Sequence, residues 1–298
     1  RGLGDVYKRQ GLAVADVLFA GCAWGSSGLF TRYLTASGMS PIAVAFFRCL
    51  SAVIILAVFL SIRDRSVFRV RVKDLWMFIG TGSLSIGLFS AFYFIAQTLT
   101  TLSVAAVLLY TAPFFVIVMS RLFFREEITK QKIIALLLAF IGCLFVTGFI
   151  GGGSVSLAPM AIIVGLASAI CYALYSIFGR VALAHYAPMT VTIYSLGFAA
   201  LALGLIFVFS GPEMPALHAN IFLGIFGMGL IPTAIPYIFY TRGLQVLAPS
   251  KASVLAFAEP MTATILGVVV LHEPMTLSAF VGIVLIFAGI VVLNRRSK

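Results

Sequence analysis

Charged residues are scarce in this 298-residue chain, in which Asp, Glu, Lys and Arg together make up 10%. Soluble globular domains contain about 25% charged residues. The hydrophobic fraction here is 62%, so the chain has too little polar surface to coat a soluble fold. Composition therefore predicts an integral membrane protein that is embedded in a lipid bilayer.

Histidine and cysteine are also rare, with three and four copies. The cysteines lie in apolar stretches without the close spacing of a metal site, and we interpret them as small apolar packing residues. A Gly-x-Ser-x-Gly motif is absent, and His185, His218 and His272 lie near the ends of apolar stretches. The sequence therefore predicts neither an enzyme nor a bound metal or cofactor.

Acidic residues number nine against 20 Lys and Arg, which gives a net charge of +11. The basic residues sit in short connections beside apolar segments, where membrane topology explains them and a nucleic-acid partner is not needed.

A membrane helix needs roughly 20 apolar residues, and ten such windows fit the chain. We predict an all-α protein with ten transmembrane helices, numbered here as spans 1 to 10. They cover residues 11–31, 42–62, 75–97, 102–123, 130–149, 157–179, 189–209, 219–241, 251–271 and 276–294.

The distribution of Lys and Arg predicts the orientation. If the N-terminus is inside, the inner loops and tail hold clusters such as Arg63 to Lys73 and Arg121 to Lys132, and the outer side holds only Arg32. The positive-inside rule then places both termini in the cytoplasm, which predicts a multi-pass protein of the bacterial cytoplasmic (inner) membrane.

An internal repeat links Ser103 to Glu126 with Ser250 to Glu273, 147 positions later; identical pairs include Pro113 with Pro260. Five spans per copy is an odd number, so the second copy enters the membrane from the other side. We predict two inverted five-helix repeats, residues 11–149 and 157–298, joined by a linker at 150–156. Asp5 to Gln10 match a translated sequencing-adapter end, and residues 1–10 are interpreted as a non-native artefact that replaces the true start.

Polar and aromatic side chains inside the predicted helices fall on stripes with spacings of three and four. Such stripes are typical either of a plain core or of a polar cavity. Trp24 and Ser27 lie among glycines in span 1. These glycines indicate either tolerated kinks or a part of the helix bundle that moves. The candidate substrate-binding residues are Trp24, Ser27, Tyr93, Gln97, Tyr110, Tyr172, Tyr175, Tyr237, Tyr240 and Phe257.

Two ionisable residues lie deep in predicted spans, Arg48 and Glu259. Since a buried charge costs about 2.5–3.5 kcal/mol at a helix centre, we expect an ion pair or a water-bridged pair; the alternative is that each is satisfied separately. Phe257 and Glu259 are about 200° apart around a regular helix, so we expect that they do not line one narrow cavity.

Small residues seven apart mark spans 5 and 10, Ala135 and Gly142 in one and Gly282 and Gly289 in the other. Small residues allow close helix approach in lipid, so they predict either packing within the chain or the seam of a homodimer.

These features together resemble the EamA-type branch of the drug/metabolite transporter superfamily over residues 11–294. The resemblance is carried by Trp24-Gly25, by Pro41 with Arg48, and by the Pro113…Glu126 and Glu259-Pro260…Glu273 pair. It implies export or exchange of a small metabolite, such as an amino acid, by alternating access around a central cavity. The aromatic lining resembles that of the aromatic-amino-acid exporters. The rival hypotheses are a non-transporting scaffold or flippase-like component and a membrane-embedded enzyme.

Overall fold

A computed structural model describes residues 3–150, 158–212, 214–216 and 218–295, and these residues contain helices and no strands. The predicted linker lies outside this part except for Ile150. The α-helices are α1 (Leu3–Gly25), α2 (Ser27–Ala36), α3 (Pro41–Arg63), α4 (Leu75–Ile79), α5 (Leu88–Leu99), α6 (Leu102–Leu109), α7 (Ala112–Phe124), α8 (Lys130–Val146), α9 (Pro159–Ala182), α10 (Pro188–Ser210), α11 (Ala219–Gly229), α12 (Ile235–Val246), α13 (Pro249–Leu255), α14 (Ala258–Leu271) and α15 (Leu277–Asn294).

Nine helical runs in the described residues are long and apolar enough to cross a membrane. They confirm the prediction of an all-α, multi-pass membrane protein. Helix α8 has 17 residues and falls just short of this set. It nevertheless packs along α15, and its residues coincide with the fifth predicted span.

Three of the predicted spans are interrupted helices. Span 1 divides into α1 and α2 at Ser26, span 4 into α6 and α7 at Tyr110–Thr111, and span 9 into α13 and α14 at Ala256–Phe257. Pro113 and Pro260 follow two of these interruptions by a few residues. Because proline lacks an N–H and clashes with the carbonyl four residues earlier, it explains why a continuous helix does not form there.

Two further spans contain π-helical segments, Gly80–Gly87 between α4 and α5 and Leu230–Ala234 between α11 and α12. In the second, Pro232 cannot bond the carbonyl of Met228, and the buried Thr233 hydroxyl donates to that carbonyl at 2.8 Å. A side chain thus replaces the missing backbone donor inside the membrane.

Helices α8 and α15 approach each other through the predicted small-residue stripes. A Cβ built on Gly142 would lie 2.6 Å from the carbonyl oxygen of Gly282, and one built on Gly282 would lie 2.6 Å from that of Gly142. The stripes are therefore used for packing within the chain, the first of the two alternatives.

Candidate functional site

Four aromatic side chains meet in the middle of the bundle: Trp24 of α1, Tyr175 of α9, and Tyr237 and Tyr240 of α12. We call them the aromatic cluster. The Trp24 ring centroid lies 5.3 Å from that of Tyr237 and 5.2 Å from that of Tyr240, and Tyr175 lies 5.1 Å from Tyr237. The tilted and edge-on geometries are those that aromatic pairs prefer. The structure thus brings four of the predicted substrate-binding residues into direct contact.

Hydrogen bonds fix the tyrosines of this cluster. The hydroxyl of Tyr175 is 2.8 Å from that of Thr241, which itself donates to the carbonyl of Tyr237 at 2.6 Å. Since a hydroxyl has one proton, Tyr175 is the donor to Thr241. Ser176 and Tyr240 form a second hydroxyl pair at 2.8 Å. The polar ends of these rings are therefore satisfied at membrane depth.

The aromatic cluster walls a cavity that Ser85, Phe89, Tyr172 and Ser176 complete. Its volume is about 10 Å³, which is room for about one water molecule. The cavity is closed in this conformation, so a metabolite can enter only if the surrounding helices move.

Sequence reasoning missed Ser85 and Phe89 as cavity residues. Stripes with spacings of three and four assume about 3.6 residues per turn, but the π-helical segment Gly80–Gly87 shifts the register of the residues within and after it. The signal that could have revealed it is the group of three glycines in that segment. Ser176 and Thr241 were missed because small hydroxyl residues carry no periodic signal of their own.

A second aromatic pair lies at the interruptions of the two related spans. Tyr110 ends α6 and Phe257 precedes α14, and their ring centroids are 6.1 Å apart. The Tyr110 hydroxyl also donates to Glu259 Oε1 at 3.5 Å. Tyr110 thus contacts Phe257 with its ring and Glu259 with its hydroxyl, and our expectation that Phe257 and Glu259 do not line one narrow cavity stays a prediction.

Three further predicted residues, Tyr93, Gln97 and Tyr172, interact with Glu259 or with a residue that does so. The Glu259 charge acts electrostatically on Tyr93 and Tyr172, and the side chain of Gln97 interacts with Tyr93. Ser27 is set apart: it begins α2 after the helix interruption, and no polar contact joins it to the aromatic cluster among the described residues.

Arg48 and Glu259 do not form a direct ion pair. The four ion pairs within 4.0 Å among the described residues involve other side chains. Arg48 Nε is buried and has no hydrogen-bond partner in that part of the chain. The water-bridged form of the pair stays a prediction.

The two repeat-related glutamates have different surroundings. Glu126, 11% exposed, accepts from Lys132 at 2.6 Å and from the Ser250 hydroxyl at the start of α13. Glu273, 54% exposed, pairs with Arg32 at 3.1 Å. The position related to Ser250 is Ser103, and no hydrogen bond joins it to Glu273 in the described residues.

In the part of the chain that the structure describes, no three His, Cys, Asp or Glu side chains come together in a group that could bind a metal ion. The four cysteines are unpaired with one another.

Comparison with known proteins gives consistent results. The profile of the EamA-like transporter family matches residues 11–148 and 159–295. A protein of Archaeoglobus fulgidus named an uncharacterized transporter is 28% identical, over 92% of this chain and 95% of its own. The uncharacterized inner membrane transporter YicL of Salmonella typhimurium is 26% identical, over 95% of each chain. One crystal structure at 22% identity superposes with a TM-score of 0.81 over 95% of this chain and 96% of the other.

Proposed function

Because the chain belongs to the EamA-like transporter family, as its sequence resemblance predicted, we propose that it exports or exchanges a small amphipathic metabolite, such as an amino acid, across the bacterial inner membrane. The observation that carries this proposal is the closed cavity walled by the aromatic cluster. Its rings offer apolar faces to a substrate side chain, and its hydroxyls offer hydrogen bonds to a polar group.

We propose that the architecture is ten transmembrane helices in two inverted five-helix repeats, 11–149 and 157–298, joined by the linker 150–156. Local structure recurs at the 147-residue offset, which supports this arrangement. The spans of Tyr110 and Phe257 are interrupted at those residues, and Arg125 and His272 both end helices with φ of 55°. The family profile also matches in two segments.

We further propose that transport proceeds by alternating access between these repeats. The two repeat-related glutamates differ in their contacts, which supports this proposal. Glu126, just after α7, is hydrogen bonded to Ser250 of α13, whereas no hydrogen bond joins the related residues Glu273 and Ser103 in the described part of the chain. In the opposite state we expect Ser103 to bond Glu273 and Ser250 to release Glu126. One conformation would then become the other by exchanging equivalent contacts.

The proposed orientation, with both termini in the cytoplasm, agrees with contacts between the ends of helices. Arg180 donates to the carbonyls of Leu244 and Gln245, and Gln131 donates to that of Arg295. Each contact joins segments that the positive-inside rule assigns to the same side.

Counterflow in proteoliposomes tests transport directly. Vesicles that contain the purified chain are loaded with an unlabelled neutral amino acid and placed in a trace of the labelled compound. We expect the label to accumulate transiently above the level in protein-free vesicles. Equal label in both preparations, across the neutral amino acids, would contradict the proposed substrate class.

A further inference from the structure

Two oppositely charged side chains in the membrane-spanning core, Arg48 and Glu259, form no direct ion pair with any described residue. Arg48 Nε is buried and without a hydrogen-bond partner in the described residues. Glu259 is bonded by Tyr110 at 3.5 Å, which is long for a hydroxyl donating to a carboxylate. A charge left unpaired in this way is unfavourable in a membrane protein, so both groups are suited to accept an external partner.

Both charges act on the same aromatic walls. Arg48 and Glu259 each interact electrostatically with Tyr172, which lines the closed cavity, and with Tyr237 of the aromatic cluster. A positive and a negative group therefore act on the same aromatic side chains and on each other, without direct contact between the two charges. A molecule seated between them would find a guanidinium, a carboxylate and aromatic faces.

The two groups come from different halves of the chain and have no charged equivalents. At the 147-residue offset, Ser195 stands in place of Arg48 and Ala112 in place of Glu259. Ser195 is buried and hydrogen bonded to Thr81 at 2.6 Å, as expected of a packing residue. The site consequently has one positive and one negative pole.

We propose that Arg48 binds the carboxylate and Glu259 the ammonium group of a zwitterionic amino acid whose side chain packs on the aromatic cluster. This inference rests on the proposed function. A zwitterion satisfies both poles at once, whereas a simple acid or a simple amine leaves one of them unpaired. Arginine suits the first role because its fork of N–H donors matches a carboxylate.

The test compares three probes of one shape: L-phenylalanine, 3-phenylpropionate, which lacks the amino group, and 2-phenylethylamine, which lacks the carboxylate. Their affinities are measured as competition against labelled L-phenylalanine counterflow and as the rise in melting temperature of the purified chain. We expect the wild type to bind the zwitterion about 10- to 100-fold more tightly than either analogue, the range of one charge-assisted hydrogen bond.

The variants assign the poles. Arg48→Met should erase the preference over 2-phenylethylamine and keep the preference over 3-phenylpropionate, and Glu259→Gln should do the reverse. Arg242→Met and Asp16→Asn are matched controls, because Arg242 and Asp16 form an ion pair with each other at 3.5 Å and neither lines the cavity. Both variants should keep the wild-type preferences.

Two outcomes separate this inference from the proposed function. If all three probes compete equally in the wild type, or if each variant weakens all three equally, the two-pole site is wrong while transport stands. If the wild type carries out no amino acid counterflow and no probe shifts its melting temperature, the proposed substrate class and the inference both fail.

Discussion

Trp24 forms one wall of the proposed cavity, and its ring contacts both Tyr237 and Tyr240. The chain has a second tryptophan, Trp76, which is 50% exposed and packs on Phe178. The two residues share chemistry and differ in place, so they form a matched pair for mutagenesis.

Trp24→Ala should lower counterflow at least about tenfold, because a cavity wall is lost. A tenfold loss of rate corresponds to about 1.4 kcal/mol of activation free energy. Trp76→Ala should transport near the wild-type level. Removal of a buried Trp can also destabilise a protein by about 3–5 kcal/mol, so melting temperature and yield are measured beside transport. If Trp24→Ala loses folded protein in step with transport, Trp24 is a core residue and not a wall.

At this scale the sequence named Tyr175, Tyr237 and Tyr240 as candidates because helical spacing places them on inward faces, and the structure brings the three rings into contact. It failed for Ser85 and Phe89, since the π-helical register cannot be read from periodicity.

Among the elements, the halves of the interrupted helices make the contacts that should change during transport. In a variant without native cysteines, Ser103→Cys with Glu273→Cys should form a disulfide in the state opposite to this structure and block transport until it is reduced. Ser250→Cys with Glu126→Cys should crosslink in the present state.

The control pair is Gln131→Cys with Arg295→Cys, whose parent residues join α8 to α15. Helices α8 and α15 pack tightly, so this crosslink should leave transport intact. Failure of the Ser103 and Glu273 pair to crosslink during counterflow would show that the two ends do not exchange contacts.

Close packing of α8 on α15 makes a separate prediction about stability. Gly142→Ala places a Cβ 2.6 Å from the Gly282 carbonyl oxygen, and such overpacking costs about 1–3 kcal/mol. Gly197→Ala in α10 meets nothing within 4 Å and should leave the melting temperature unchanged or raise it, since alanine favours helix by up to about 1 kcal/mol. Equal melting temperatures for the two variants would mean that the helices can separate freely.

The starts of several helices could be predicted from the sequence, because apolar windows and prolines begin at nearly the same residues there. Pro41, Pro159, Pro188 and Pro249 each begin a helix, where a missing N–H does no harm. The interruptions within spans were harder to locate, since Pro113 and Pro260 indicate a break without fixing the residue at which it falls.

For the whole molecule, orientation is the property to test. Ser66 and Ser210 are both exposed, and the positive-inside rule assigns them to opposite sides. In a variant without native cysteines, Ser210→Cys in intact cells should react with an impermeant thiol reagent, and Ser66→Cys should react only after lysis. Labelling in the reverse order would show that the molecule has the opposite orientation in the membrane, and the sides assigned to Glu126 and Glu273 would then be exchanged.

The division of Arg48 and Glu259 between the two halves has a consequence for expressing these halves as separate polypeptides. Two copies of residues 11–148 would bring together two guanidiniums and no carboxylate at the site, and two copies of 159–295 would do the opposite. Expressed from separate genes, the halves should therefore act only as an obligate heterodimer. Counterflow by either half alone would show that transport does not require both Arg48 and Glu259.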